Sequence, residues 1–91
     1  MVRILVTAKV ENSKEWEAGF RTHRDLFKSM TVKAIHYAVM DGNEIAICMD
    51  ATDQAKYFQI LDSKAAVDSM TSDGVKLDTV NTFVLDKKLD L

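Results

Sequence analysis

The sequence predicts an α+β fold in which a four-stranded antiparallel sheet carries its helices on one face. Apolar residues alternate with a period of two near both ends of the chain and in 32–40 and 44–50, whereas 16–30 and the region after Asp53 have helical spacing. The segment "DGN" at 41–43 is typical of a hairpin turn between the middle strands. The element order is therefore strand, helix, strand, strand, helix, strand, a split βαβ arrangement.

The first strand and the first helix have the clearest patterns. Residues 2–10 alternate, and one side of this strand consists of Val2, Ile4, Val6, Ala8 and Val10. Asn12 or Ser13 can cap the helix that follows. Its apolar stripe predicts one continuous helix to about Met30, with an imidazole near the centre of the stripe: Trp16, Phe20, His23, Phe27 and Met30.

The second helical region is expected to be split, because two residues in it are good N-caps. Asp53 precedes "QAKYFQIL" and Ser63 precedes "KAAVDSM", which predicts two short helices or one helix broken near Asp62. Gly74 suits the position just past the last helix. The final strand is predicted from Asp78 or Thr79 to Leu85, or as far as Lys88.

The hairpin loop determines which side chains share a face of the sheet. A two-residue loop within 41–43 would place His36 beside Ile45, Ile47 and Met49 on the more apolar face, with Tyr37 and Cys48 on the other. Both faces then have an apolar centre, but one set of helices covers only one of them. We therefore expect a single domain, 1–91, that forms a two-fold homodimer through the face that its own helices leave uncovered.

Composition argues against several classes of partner. The 91 residues carry a net charge of −2 with acids and bases interspersed, so no basic stripe is available for nucleic acid. The single cysteine allows no intrachain disulfide, and two widely spaced histidines predict no metal site. No apolar run reaches the roughly 20 residues of a membrane span, and "MVRILVTAKV" is typical of a strand, not a signal peptide. We expect a cytoplasmic protein without a membrane partner.

The chain resembles the dimeric α/β-barrel superfamily, in which two ferredoxin-like subunits pack sheet against sheet. The element order, the pattern Trp16, Phe20, His23, and the segments "NEIAICMDATD" and "TVNTFVLD" carry the resemblance. It is similar to antibiotic-biosynthesis-monooxygenase-like and stress-responsive members. The resemblance implies a pocket between helix and sheet, with Trp16, Phe20, His23 and Phe27 in its wall. It assigns no catalytic residue. We expect no cofactor, because the additional ligand and pocket residues of the haem-binding members have no counterpart in this sequence.

His23 and His36 are the candidate catalytic residues. If the more apolar face of the sheet meets the helices, both imidazoles share one layer with Trp16, Phe20 and Phe27 as ligand-binding residues. There they could bind the polar end of a ligand, transfer protons near neutral pH, or hold a metal with a nearby carboxylate, although the spacing itself predicts no metal site. Buried histidines also serve simply as hydrogen-bonded core residues. Gly19, beside the stripe, could make room for a ligand or for close contact with the sheet, or it could be a glycine that the helix merely tolerates.

Three functions remain compatible with the sequence. The first is a homodimer that binds a small apolar or amphipathic organic molecule between helix 1 and the sheet. The second is a cofactor-independent monooxygenase or an isomerase that uses His23 or His36. The third is a structural interaction domain without a cavity, so the sequence does not decide whether the chain is an enzyme.

Overall fold

The computed structural model describes residues 1–91 and contains four strands and four α-helices. The strands are β1 (Val2–Lys9), β2 (Val32–Met40), β3 (Glu44–Ala51) and β4 (Asn81–Val84). The helices are α1 (Ser13–Phe20), α2 (Arg24–Ser29), α3 (Gln54–Leu61) and α4 (Lys64–Ser72), and a 3-10 turn spans Leu77–Thr79.

The strands form one antiparallel sheet in the order β2-β3-β1-β4. This order and the two helical connections confirm the predicted ferredoxin-like fold. The β1 pattern is also confirmed, because Ile4, Val6, Ala8 and Val10 are buried on the side that the helices cover. The core therefore lies in a single layer between the sheet and the helices.

The prediction of one continuous helix from Ser13 to Met30 is wrong, because the helix breaks at Arg21–His23. The Thr22 hydroxyl donates to the carbonyl of Gly19 at 2.6 Å, and the amide of Thr22 also bonds to that oxygen at 2.9 Å. The His23 amide bonds to the carbonyl of Phe20, again three residues back. These bonds to carbonyls three residues back tighten the turn and compete with the α-helical bonds to carbonyls four residues back. Gly19, a residue of low helix propensity, lies beside this break. His23 therefore precedes α2 instead of lying within a helix.

The predicted N-caps of the helices are confirmed. The Asn12 side chain accepts from the amide of Glu15, and Asp53 and Ser63 accept from the amides at the starts of α3 and α4. The second helical region is split as expected. Gly74 follows α4 with φ +79°, a conformation that glycine adopts without the strain of a side chain.

The expected alignment of β2 with β3 is wrong by one residue. The hairpin loop has three residues, Asp41–Asn43, since Met40 pairs with Glu44. Gly42 and Asn43 have φ +76° and +58°. Tyr37 consequently pairs with Ile47 on the helix side, and His36 pairs with Cys48 on the opposite face. Because side chains alternate, this one-residue difference exchanges the two faces of β2.

A bulge near the start of β2 places the first residue of the strand, Val32, in the core. The register shifts between Val32 and Ala34, so that Val32 pairs with Ala51, and both are buried. Beyond the bulge, Ile35 pairs with Met49 on the same side. The helix-facing surface of the sheet is therefore continuous from β2 to β1.

The opposite face of the sheet is uncovered in the single chain. It carries Leu5, Cys48 and Phe83 across three neighbouring strands, and Phe83 is 50% exposed. Strand β4 is shorter than predicted, although the amide of Leu85 still bonds to the carbonyl of Arg3 at 2.9 Å. None of the helices is long and apolar enough to cross a bilayer.

Candidate functional site

A cavity lies between the helices and the covered face of the sheet. Its empty volume, including the open mouth, is about 640 Å³, and 16 of its 19 lining residues are hydrophobic. The sheet contributes residues such as Val6 and Ile47, and all four helices contribute to the wall. The helices and the sheet therefore leave open space between them. Such a lining suits a small molecule with an apolar body.

Aromatic rings form one wall of the cavity. Trp16 stacks on Phe20 with ring centroids 4.7 Å apart, and Phe20 contacts Phe27 at 5.1 Å. Tyr37 packs edge-on against Trp16 and Phe20 at 5.8 and 5.2 Å. The structure thus brings Trp16, Phe20 and Phe27 together in the wall. Their packing on one another holds the ring faces in fixed positions.

Tyr37 supports this wall from outside the cavity lining. Its hydroxyl donates to Oε2 of Glu17 at 2.5 Å, and Nε of Arg21 lies 3.5 Å from the same oxygen. The hydrogen bond to the Glu17 carboxylate raises the pKa of Tyr37 above its ordinary value. The phenol is therefore neutral and serves as a donor that attaches β2 to α1.

The polar group of the wall is a histidine paired with an aspartate. Nε2 of His23 lies 2.8 Å from Oδ2 of Asp73, and their side chains are 23% and 11% exposed. Both residues line the cavity. Since a carboxylate only accepts, the proton of the neutral ring is on Nε2. Nδ1 then carries a lone pair and has no hydrogen-bond partner within the protein, so it can accept a proton or a hydrogen bond.

Two irregular backbone positions bring this pair together. His23 lies at the break between α1 and α2, so its ring is not restricted to a helical stripe. Asp73 is the C-cap residue that follows α4, immediately before Gly74 turns the chain. The amide of Val75 bonds back to the carbonyl of Met70 at 3.0 Å, and Val75 also bridges to Val10 beside β1. The end of α4 is therefore attached to the sheet.

Gly19 makes room for the Asp73 carboxylate. A Cβ atom at position 19 would lie 2.1 Å from Oδ1 of Asp73, much closer than real atoms approach. The predicted role of Gly19 was space for a ligand or for the sheet, but the group that occupies this space is the partner of His23. Sequence reasoning missed Asp73, and the glycine was the only local signal that something packs closely there.

The other histidine takes no part in this cavity. His36 is exposed on the uncovered face of the sheet, beside Cys48 on the neighbouring strand. The expectation that His23 and His36 share a layer is wrong, because the three-residue hairpin loop reverses the faces of β2. The same reversal places Tyr37 on the helix side and leaves Cys48 on the uncovered face.

Solved structures with the same fold are similar to this chain, although no family model and no curated protein sequence matches it. SnoaB from Streptomyces nogalater, a cofactor-independent oxygenase, has a TM-score of 0.73 and 14% identity, with 99% of this chain and 95% of SnoaB covered. A Bordetella bronchiseptica protein named as an antibiotic biosynthesis monooxygenase has a TM-score of 0.74 and 12% identity, with 97% of both chains covered. At3g17210 from Arabidopsis thaliana has a TM-score of 0.70 and 13% identity over 100% of both chains. The shared feature is the fold, as the resemblance implied.

Gly19→Ala is expected to break the His23–Asp73 hydrogen bond without altering either residue. The methyl group must displace the carboxylate, so the ring N–H of His23 loses the partner that protects it from exchange with water. Proton NMR should show a slowly exchanging His23 ring N–H in the wild-type protein and not in Gly19→Ala. We also expect the variant to lose about 1 kcal/mol of stability, although alanine normally stabilises a helix interior relative to glycine by about that amount.

Ala18→Ser is the matched control, because it adds one atom to the exposed neighbouring position of α1. It should leave the His23 signal unchanged. A Gly19→Ala protein that keeps the protected N–H and gains stability would contradict the geometry of this site.

Proposed function

We propose that this chain binds a small, largely apolar organic molecule that carries an acidic O–H group, in the cavity between the helices and the sheet. The supporting observation is the hydrogen-bonded His23–Asp73 pair in a predominantly apolar lining. The apolar wall would contribute most of the affinity through burial. His23 would orient the ligand by accepting its hydrogen bond.

The preference for a hydrogen-bond donor follows from the state of the His23 ring. Asp73 accepts from Nε2, which leaves Nδ1 as the acceptor. A phenol or an enol donates an O–H to such a nitrogen, whereas a ketone or an ether offers no proton. Asp73 also stabilises the positive charge that His23 gains if the proton transfers completely. The ligand class supported best is therefore a one-ring or small two-ring molecule with an acidic hydroxyl.

Proton removal by His23 supports a second candidate function, a cofactor-independent oxygenase. Removing the O–H proton of an electron-rich phenol gives a phenolate, which O₂ can oxidise directly. The overall conversion of a phenol and O₂ to a para-quinone and water balances: one oxygen atom becomes the new carbonyl, and the other leaves as water with the two displaced hydrogens. The similarity to SnoaB favours this candidate over an isomerase, which would only move a proton within its substrate.

We infer that two chains associate through the uncovered face of the sheet. Apolar side chains there remain partly or fully exposed in the single chain, including Phe83 at 50% and Met40 at 40%. A chain of 91 residues buries a modest fraction of its surface alone, so covering this face would add stability. A second copy of the same face is complementary by symmetry.

Asp73→Asn is expected to weaken binding of 3-ethylphenol about tenfold and to leave the binding of ethylbenzene unchanged. The amide can offer its NH₂ group to Nε2 and so stabilise the wrong ring tautomer, in which Nδ1 no longer accepts. Titration calorimetry measures both ligands. His36→Gln is the control, since His36 lies on the other face, and it should leave both affinities unchanged.

His23→Leu provides the complementary test. It should remove the preference for 3-ethylphenol over ethylbenzene while the cavity still binds both. A stable His23→Leu protein with the wild-type preference would contradict the assigned role of His23.

The oxygenase candidate predicts that an electron-rich phenol is converted to its quinone with one oxygen atom from O₂. Mass spectrometry under ¹⁸O₂ should show one labelled atom in the quinone in excess of the uncatalysed reaction. His23→Leu should lower the rate by about 100-fold or more, as expected for loss of a general base. An unchanged rate in that variant would exclude proton removal by His23, and an unlabelled product would exclude the oxygenase.

Phe83→Asp is expected to convert a dimer into a monomer, because it replaces the half-exposed ring on the β4 side of the uncovered face with a charge. Sedimentation velocity at micromolar concentration measures the change. Gln54→Asp adds the same charge at the exposed start of α3 and should leave the dimer intact. A wild-type chain that is monomeric at these concentrations would contradict the inferred association.

A further inference from the structure

A second polar group in the cavity wall has no oxygen or nitrogen partner. Tyr57 is fully buried, and its hydroxyl contacts only Sδ of Met49, at 3.8 Å. Tyr57 and Met49 both line the cavity that contains His23. A thioether is a weak acceptor, so this hydroxyl is poorly satisfied compared with most buried polar groups.

The choice of tyrosine at this position has an energetic cost that phenylalanine would avoid. The Tyr57 ring packs edge-on against Phe58 at 5.2 Å, and a phenylalanine ring could make the same contact. Burying a hydroxyl without a strong partner is unfavourable, and the only compensation here is the weak hydrogen bond to Sδ of Met49. A ligand acceptor in the cavity would supply one.

The chemistry of Tyr57 determines what it can recognise. Burial raises the pKa of its hydroxyl, so the group is a neutral phenol near neutral pH and keeps its proton. It can therefore donate to a carbonyl oxygen or to an anionic oxygen. Met49 has a flexible side chain, so its sulfur can move aside when an oxygen acceptor enters.

We propose that Tyr57 is a specificity-determining residue that donates a hydrogen bond to an acceptor oxygen of the ligand, while His23 accepts from the ligand's hydroxyl. The inference rests on the proposed function and narrows it: the ligand class becomes a small hydroxyaryl ketone or a similar molecule with one donor and one acceptor on an apolar body. The neutral His23 ring accepts through Nδ1, and the Tyr57 hydroxyl has a proton to donate, so together they favour this class over simple phenols and simple ketones.

Four one-ring probes of similar size test the inference by calorimetry. Ethylbenzene has neither polar group, 3-ethylphenol has the donor, acetophenone has the acceptor, and 3-hydroxyacetophenone has both. The wild-type protein should bind 3-hydroxyacetophenone most tightly. Tyr57→Phe should lower the affinity for acetophenone and for 3-hydroxyacetophenone about fivefold, the effect of one net hydrogen bond. The affinities for ethylbenzene and 3-ethylphenol should be unchanged.

The outcomes separate this inference from the function on which it rests. If no probe binds the wild-type protein, both fail. A second outcome is that the protein binds the probes and prefers 3-ethylphenol to ethylbenzene in a way that depends on His23. If Tyr57→Phe then changes the affinities for all four probes equally, or changes none of them, only the role of Tyr57 is overturned.

Met49→Leu keeps the test decisive if Tyr57→Phe does not fold. It removes the sulfur acceptor at nearly constant volume, so the hydroxyl becomes more available, and acetophenone should bind about threefold more tightly relative to ethylbenzene. An unchanged ratio would overturn the proposal.

Discussion

The His23–Asp73 hydrogen bond is the interaction on which the character of this cavity depends. It joins the break between α1 and α2 to the end of α4, across the open side of the helical layer. In the neutral ring it also places the proton on Nε2, which leaves Nδ1 as an acceptor. Without it, the cavity would be an apolar gap with an unoriented imidazole, so the absence of a side chain at Gly19 has a chemical consequence as well as a steric one.

The alignment of β2 with β3 is the second constraint, because it determines which β2 side chains lie on each face of the sheet. The three-residue hairpin loop turns Tyr37 toward the aromatic wall and His36 away from it. One face then supports a cavity with a single histidine. The other presents Leu5, Cys48 and Phe83 as an apolar surface that the chain's own helices do not cover. The proposed ligand cavity and the proposed association surface therefore lie on opposite sides of one sheet.

The fold was predictable because its signals are local. Alternation identified the strands, and the side chains of Asn12, Asp53 and Ser63 marked the helix starts that the structure confirms. The break in the helix at Thr22 was not predictable, because a hydrogen bond from a side chain to the nearby backbone leaves the spacing of apolar residues unchanged. The position of Asp73 beside His23 depends on tertiary packing, so neither spacing nor composition could reveal it.

The most direct test of this account is an NMR titration of the wild-type chain with 3-ethylphenol, following the ring of His23 together with the methyl groups of Ile47 and Met49. The account predicts saturable shifts of all three groups with one common affinity, and no shift of the His36 ring on the opposite face. Saturable shifts confined to His36 and Phe83, or no saturable shift at His23, would contradict it.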